Sequence, residues 1–215
     1  MKNVFFEPWV GENYKNGFNG KKILVLGDSH YCDKYNNCGN KCGNLNIDDD
    51  KCRNFTTNVV EHFIEYKNGG GHMPWMNTYT NFTNVLLGEK ADNKATIEFW
   101  NSIVFYNYVQ KSQAGPRIRP SNEDYDNSHP AFTEVLEEHQ PDLIIVWRWT
   151  GFWSKIEKYG IKADFSILEK IKDKFYYLEI KGKKIPACGI PHPSTSTFLS
   201  EDWISQYLQK AIELA

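Results

Sequence analysis

The chain has 215 residues, of which 40% are hydrophobic and 24% charged, and its formal net charge is -2. These values are typical of one globular domain with a sizeable core, and they exclude a global basic field, so a nucleic-acid partner requires a local basic patch. No apolar stretch has the form of a secretion signal or the length of a membrane span. We therefore expect a cytoplasmic protein without a membrane partner, present as a monomer.

The first predicted strand, residues 22–27, is a short, unbroken apolar run that ends at a glycine, Gly27. A run of this kind is typical of a strand that is buried on both faces. Four residues whose side chains can take part in catalysis or binding follow directly: Asp28, Ser29, His30 and Tyr31. Ligands bind beyond the carboxyl ends of strands in open α/β sheets, so we expect these groups at the active edge. A polar turn without chemistry is the alternative.

Four of the five cysteines, Cys32, Cys38, Cys42 and Cys52, lie in a polar insertion of about residues 32–52. In a reducing compartment such a cluster favours a metal site over disulfides, and the insertion is too polar to order itself by apolar burial. We predict a structural zinc ion, although the spacing matches no standard signature. An iron–sulfur cluster and free thiols are the alternatives. Cys188 stands alone in an apolar strand, so we expect a buried small hydrophobe.

The middle of the chain predicts helices over residues 54–66 and 95–100, with an aromatic loop and a short helix between them. A second buried strand, residues 102–109, has Asn107 near its carboxyl end. Buried amides need partners, and an amide is also the group that reads the edge of a base with paired donor and acceptor. The long loop after this strand is basic at Lys111, Arg117 and Arg119, which favours a functional role.

The last third predicts a helix capped by Ser128 with Pro130 just inside it, a buried strand over residues 143–147, and helices near residues 150–158 and 164–173. Strands over residues 176–180 and 184–190 follow, then a final helix over about residues 201–214, capped by Ser200. Alternating strands and helices predict an α/β protein, with a three-layer α/β/α arrangement around a mainly parallel sheet. We see no linker, so residues 1–215 form a single domain with a Cys-rich insertion after its first strand.

Three features of the sequence, the last of them directly after the strand over residues 184–190, resemble in the same order the motifs of the uracil-DNA glycosylase superfamily. They are the glycine turn Gly27-Asp28-Ser29-His30-Tyr31, the strand that ends in Asn107, and the late His192-Pro193-Ser194. The resemblance spans about residues 21–200. It is greatest to a bacterial branch with a GxSHY first motif, and it implies the α/β/α fold of that superfamily. The Cys-rich insertion is not part of the common family core.

The resemblance implies hydrolysis of the N-glycosidic bond of a uracil or other damaged base that is flipped out of nucleic acid. Asp28, with Ser29 beside it, orients the water, and His192 stabilises the departing base. Asn107 reads the base edge, and Tyr31 or Phe55 packs against it. The residues implied to contact phosphates or to wedge into the duplex are Ser194, Lys111, Arg117, Arg119, and Phe198 or its neighbour Leu199.

The first motif also departs from the family pattern. The best-known branch has its catalytic Asp at the third position, which is Ser29 here, whereas the iron–sulfur branch has a carboxylate at the second, which is Asp28 here. Asp28 is therefore the better candidate base, and a non-catalytic binder of nucleic acid or nucleotides remains open. The GDSH sequence also fits an esterase with Ser29 as nucleophile. Such an enzyme needs a late Asp-x-x-His, and the only match is Asp126 to His129 in mid-chain.

Overall fold

The computed structural model describes residues 1–32, 44–45, 50–88, 90–116, 118–147, 152–163, 175–200 and 202–215. The strands are β1 (Trp9–Val10), β2 (Ile23–Gly27), β3 (Ile103–Asn107), β4 (Leu143–Trp147), β5 (Gly160–Lys162), β6 (Phe175–Ile180) and β7 (Lys183–Ile190). The helices are α1 (Asp50–Arg53), α2 (Phe55–Lys67), α3 (Met76–Leu87), α4 (Asn93–Trp100), α5 (Asn122–His139), α6 (Trp153–Glu157), α7 (Ser196–Ser200) and α8 (Trp203–Leu214). The helix predicted over residues 164–173 lies outside the described residues.

The strands form one mixed sheet in the order β1-β3-β2-β4-β7-β6-β5. The central strands β3, β2, β4 and β7 are parallel, whereas β1, β6 and β5 join antiparallel at the two sides. The α/β class is confirmed, and the expectation of a mainly parallel sheet holds only for its centre. The antiparallel pairing of β6 with β7 arises at Lys181-Gly182, where φ values of 50° and 80° make a tight turn between the two strands.

Helices cover both faces of the sheet, because alternate residues of each central strand point to opposite sides. Ile23 and Val25 join a core with residues of α2, α3, α4 and α8. Leu24 and Leu26 join a second core with residues of α5 and α6. This arrangement gives three layers and explains why β2 reads as a continuous apolar run. Cys188 is fully buried in the first core, as predicted.

Two predicted helix starts are wrong. The helix predicted to start at Ser128 begins at Asn122, because Ser121 and Asp124 form a reciprocal capping box that outweighs Pro130 inside the helix. Ser128 instead lies within α5, where its hydroxyl donates to the carbonyl of Asp124. Ser200 ends α7 rather than capping the final helix, which begins at Trp203.

No helix in the described part of the chain is long and apolar enough to cross a membrane.

Candidate functional site

The parallel strands bring the predicted motifs to one edge of the sheet. Gly27 pairs with Asn107 at the ends of β2 and β3. On the other side of β2, Trp147 ends β4 and pairs with Ile190 of β7. His192 follows two residues after Ile190. The residues that follow β2, end β3 and follow β7 therefore meet at the carboxyl edge, where open α/β sheets bind ligands.

Asp28 is buried, with 8% of its surface exposed, and its carboxylate is held from the α5 side of the sheet. The hydroxyl of Tyr125, in the first turns of α5, donates to Oδ1 of Asp28 over 2.7 Å. The backbone is also fixed, because the amide of Val109 donates to the carbonyl of Asp28 over 3.0 Å. A buried carboxylate with a charge-assisted hydrogen bond is well placed to order a neighbouring water.

Asn107 and Phe55 both contact the ring of His30. Nδ2 of Asn107 lies 3.4 Å from Nδ1 and 3.2 Å from Nε2 of His30, which places the amide over the ring face. The Phe55 ring is 4.5 Å from the imidazole at an angle of 31°. Both groups are therefore in direct contact with the imidazole ring. Two of the three predicted base-binding residues, Asn107 and Phe55, are thus already packed against a planar side chain.

His30 is a neutral, buried part of this arrangement. Its Nε2 lies 2.8 Å from Oγ1 of Thr56 in the first turn of α2, and Phe6 packs against it at 4.8 Å. Burial lowers the pKa of His30 to about 3. An imidazole that stays neutral throughout the physiological range fits a structural role better than that of a proton shuttle.

The tautomer of His192 is set by the turn after β7. The backbone amide of Ser194 donates to Nδ1 of His192 over 3.2 Å, and the Ser194 hydroxyl lies 2.8 Å from the same atom. Because Nδ1 accepts a hydrogen bond, the neutral ring carries its proton on Nε2. Asn81 of α3 secures the turn through the carbonyl of Pro193. With Nδ1 as the acceptor, Nε2 is the ring nitrogen that can donate.

The other predicted site residues differ in how exposed they are. Ser29 is half-buried, whereas Tyr31, Ser194, Lys111 and Arg119 are exposed. Lys111 pairs with Asp124 at 3.4 Å, so part of its charge is compensated.

One of the two wedge candidates is inaccessible. Phe198 is 1% exposed and belongs to the core, so it cannot enter a duplex while the domain stays folded. Its neighbour Leu199 is 60% exposed. Arg117, which was predicted to contact nucleic acid, lies outside the described residues.

The cysteine cluster is described only in part. Cys32 and Cys52 are half-buried, and Cys38 and Cys42 lie outside the described residues. Among the residues that the structure covers, no group of three or more His, Cys, Asp or Glu side chains is close enough to hold a metal ion. Zinc therefore stays a prediction from the sequence.

The sequence interpretation missed the residues that support the site. Neither Tyr125 nor Thr56 belongs to a sequence motif. Tyr125 contacts Asp28 and Thr56 contacts His30 only because the fold brings these distant residues together. Gln110 accepts from the amides of Phe5 and Phe6 and so ties the N-terminal segment to this edge. The position of Gln110, three residues after Asn107 in a loop at a strand end, was the one sequence feature that could have indicated its role.

Two cavities lie away from this edge. One of about 270 Å³ lies between α2 and α3, beside Tyr66 and Trp75, and one of about 170 Å³ lies beside Phe132 and Tyr159. Neither lining contains a predicted site residue. A comparison with models of known protein families finds no match, and neither does a search of curated proteins.

Proposed function

We propose that this protein hydrolyses the N-glycosidic bond of uracil or another damaged base in nucleic acid, as a member of the uracil-DNA glycosylase-like fold. The observation that supports the proposal is the placement of Asp28, Asn107 and His192 at the carboxyl ends of three parallel strands, along the same edge of the sheet. A carboxylate, an amide and a neutral imidazole donor are the three groups that this reaction needs. They come from parts of the sequence that are far apart.

Each group has one task in the proposed reaction. Asp28 orients a water toward C1′ of the sugar and stabilises the positive charge that develops there. The bond between C1′ and the base nitrogen breaks, its electron pair leaves with the base, and the water oxygen bonds to C1′ while its proton passes to Asp28. Nε2–H of His192 donates to the base as negative charge develops, which is preorganised electrostatic stabilisation. Asn107 selects the base by its edge.

The nucleic-acid contacts in this proposal are few, which agrees with the net charge of -2. Ser194, Lys111 and Arg119 are exposed candidates for phosphate contacts, and Leu199 takes the wedge role in place of Phe198. Few phosphate contacts predict a shallow dependence of affinity on salt. A structural zinc ion in the cysteine insertion completes the proposal.

Base release from oligonucleotides tests the proposal directly. Wild type is incubated with single- and double-stranded DNA and with RNA that contains uracil, or with DNA that contains other damaged bases. Asp28→Asn and His192→Ala should each lower the single-turnover rate by about 100-fold or more, the scale of one preorganised electrostatic group. Affinity should change little, because neither residue is proposed to contact a phosphate and both act mainly on the transition state. No release of any base from wild type would overturn the proposal.

A second candidate is a non-catalytic binder of nucleic acid or nucleotides, and the contacts of the His30 imidazole favour it. His30 contacts both Phe55 and Asn107, so the amide and the aromatic ring are already held in place before a ligand binds. The binder predicts affinity without base release, and a loss of affinity in Asn107→Ala.

The esterase hypothesis receives no comparable support. In the described chain, His129 contacts Tyr108 and Tyr159, and Asp126 pairs with Lys158. None of these contacts connects the pair with Ser29. A p-nitrophenyl ester assay with Ser29→Ala separates this hypothesis from the other two.

A further inference from the structure

The carboxylate of Asp28 needs a partner that fixes its plane. The last torsion of an aspartate is broad, so packing around the backbone does not by itself decide where the two oxygens lie. The Tyr125 hydroxyl binds Oδ1 over 2.7 Å, and both residues are buried. Once Oδ1 is held, the position of Oδ2 follows from the planar geometry of the group.

Tyr125 is itself fixed on several sides. The capping box at Ser121 starts α5 four residues earlier, and one turn later Ser128 accepts from the backbone amide of Gln110 over 3.0 Å. The Tyr125 ring stacks on Phe152 at 5.8 Å and 22°. A side chain held in this way delivers its hydroxyl to one place, which is the requirement for positioning another group.

A cation lies near the same ring. Nζ of Lys155 is 5.9 Å from the centre of the Tyr125 ring, and it donates to Oδ1 of Asn122 over 2.6 Å. A positive charge near a phenol favours hydrogen-bond donation from its hydroxyl. Tyr125 therefore reaches Asp28 from the α5 side of the sheet, and Phe152 and Lys155 lie against its ring.

From these contacts we propose that Tyr125 is a positioning residue, which orients the Asp28 carboxylate for attack of water on the sugar. This inference rests on the proposed function. It adds that catalysis depends on α5, a helix whose start the sequence motifs did not locate.

The test compares Tyr125→Phe with Tyr108→Phe in the full-length chain. The first variant loses the hydroxyl and keeps the ring on Phe152. The control loses the hydroxyl of another buried tyrosine in the same core, which contacts His129. Single-turnover base release and affinity are measured with a uracil-containing single-stranded oligonucleotide. The ¹³C resonance of the Asp28 carboxyl, identified by its loss in Asp28→Asn, is recorded for each variant.

Tyr125→Phe should lower the rate about tenfold or more, the scale of one hydrogen bond to a charged group, and change the affinity less than about twofold. It should also move the Asp28 resonance, whereas Tyr108→Phe should leave both the rate and the resonance near wild type. A purely structural role predicts no selective effect on the rate.

The possible failures are distinguishable. If Asp28→Asn abolishes base release but Tyr125→Phe keeps the wild-type rate, or if the Asp28 resonance does not move, the positioning role is overturned and the proposed function stands. If wild type releases no base, or if Asp28→Asn is as fast as wild type, the proposed function is overturned and the positioning role with it.

Discussion

The amide oxygen of Asn107 lies against the face of Gly27 where any other residue would carry its Cβ. Gly27 ends β2, and Asn107 is its register partner at the end of β3. The amide has no room to move away, because its other side contacts His30. Glycine is therefore required at position 27, because a residue with a Cβ would leave no room for the Asn107 amide.

Gly27→Ala should destabilise the protein by about 1–3 kcal/mol, since the added methyl would overlap Oδ1 of Asn107 and lie 3.3 Å from the Phe105 ring. Urea unfolding measures the change. Gly71→Ala is the control, because a Cβ there meets open space. Equal stability of the two variants would contradict the close approach. If Asn107 reads a base, Gly27→Ala should also reduce discrimination between bases.

His30 should make stability depend on pH in the acidic range. Burial lowers its pKa to about 3 in the folded chain, from an ordinary value of 6.5. The unfolded chain therefore binds the proton more readily, so this contribution to stability is complete above about pH 6.5 and is lost as the pH falls toward 3. Between about pH 6.5 and 4.5 the loss should be about 2–3 kcal/mol.

His30→Asn provides the comparison, since Asn does not titrate and retains polar atoms near Thr56. Burial also lowers the pKa of His129 and His139, and both residues remain in the variant, so the difference between the two pH profiles isolates His30. Urea unfolding at several pH values should give a shallower profile for His30→Asn. Parallel profiles would show that His30 is not buried and neutral in solution.

The third prediction concerns the N-terminal cap of α5, which the sequence interpretation did not locate. Ser121→Ala should lower the free energy of unfolding by about 1 kcal/mol, because the Ser121 hydroxyl accepts from the amide of Asp124 in the capping box. Ser200→Ala should have little effect, because Ser200 ends a short helix rather than capping α8. Urea unfolding of the two variants gives the comparison, and the reverse order of stability would contradict it.

The two serines illustrate which features of the fold were predictable. Strands β2, β3 and β4 were predicted within two residues of their ends, because a strand buried on both faces leaves a short, continuous apolar run. Caps were less predictable, because Ser128 before Pro130 and Ser200 before two acidic residues both have the local features of an N-cap. Which candidate starts a helix depended on contacts such as that between Ser128 and Gln110.

The same distinction applies to the candidate site. Asp28, Asn107 and His192 could be expected along one edge, because residues at and beyond the carboxyl ends of parallel strands lie at the same edge of a sheet, and the family resemblance suggested their roles. Tyr125 could not be recognised, because its contact with Asp28 joins residues 97 positions apart across the fold. The contact of the His30 ring with Asn107 and Phe55 was equally hidden, since GDSHY gives no sign of which side each side chain takes.

The cysteines provide a fourth prediction. If zinc is bound by at least three of Cys32, Cys38, Cys42 and Cys52, elemental analysis of the purified protein should find about one zinc per chain. The two described thiols, Cys32 and Cys52, should then react with iodoacetamide only after chelation. Cys188 should react only after unfolding, because burial raises the pKa of its thiol and the thiolate is the nucleophile. Purified, unchelated protein that contains no zinc and whose Cys32 and Cys52 are labelled at once would contradict the zinc site.

The last prediction concerns His192, whose proposed role requires a proton on Nε2. Long-range ¹⁵N NMR near neutral pH, with the resonance identified by its loss in His192→Ala, should show Nδ1 unprotonated. Ser194→Ala should keep this tautomer, because the backbone amide of residue 194 still donates to Nδ1. It should therefore slow base release less than His192→Ala does. A proton on Nδ1 in wild type would leave no donor at Nε2 of the neutral ring and would remove His192 from the proposed mechanism.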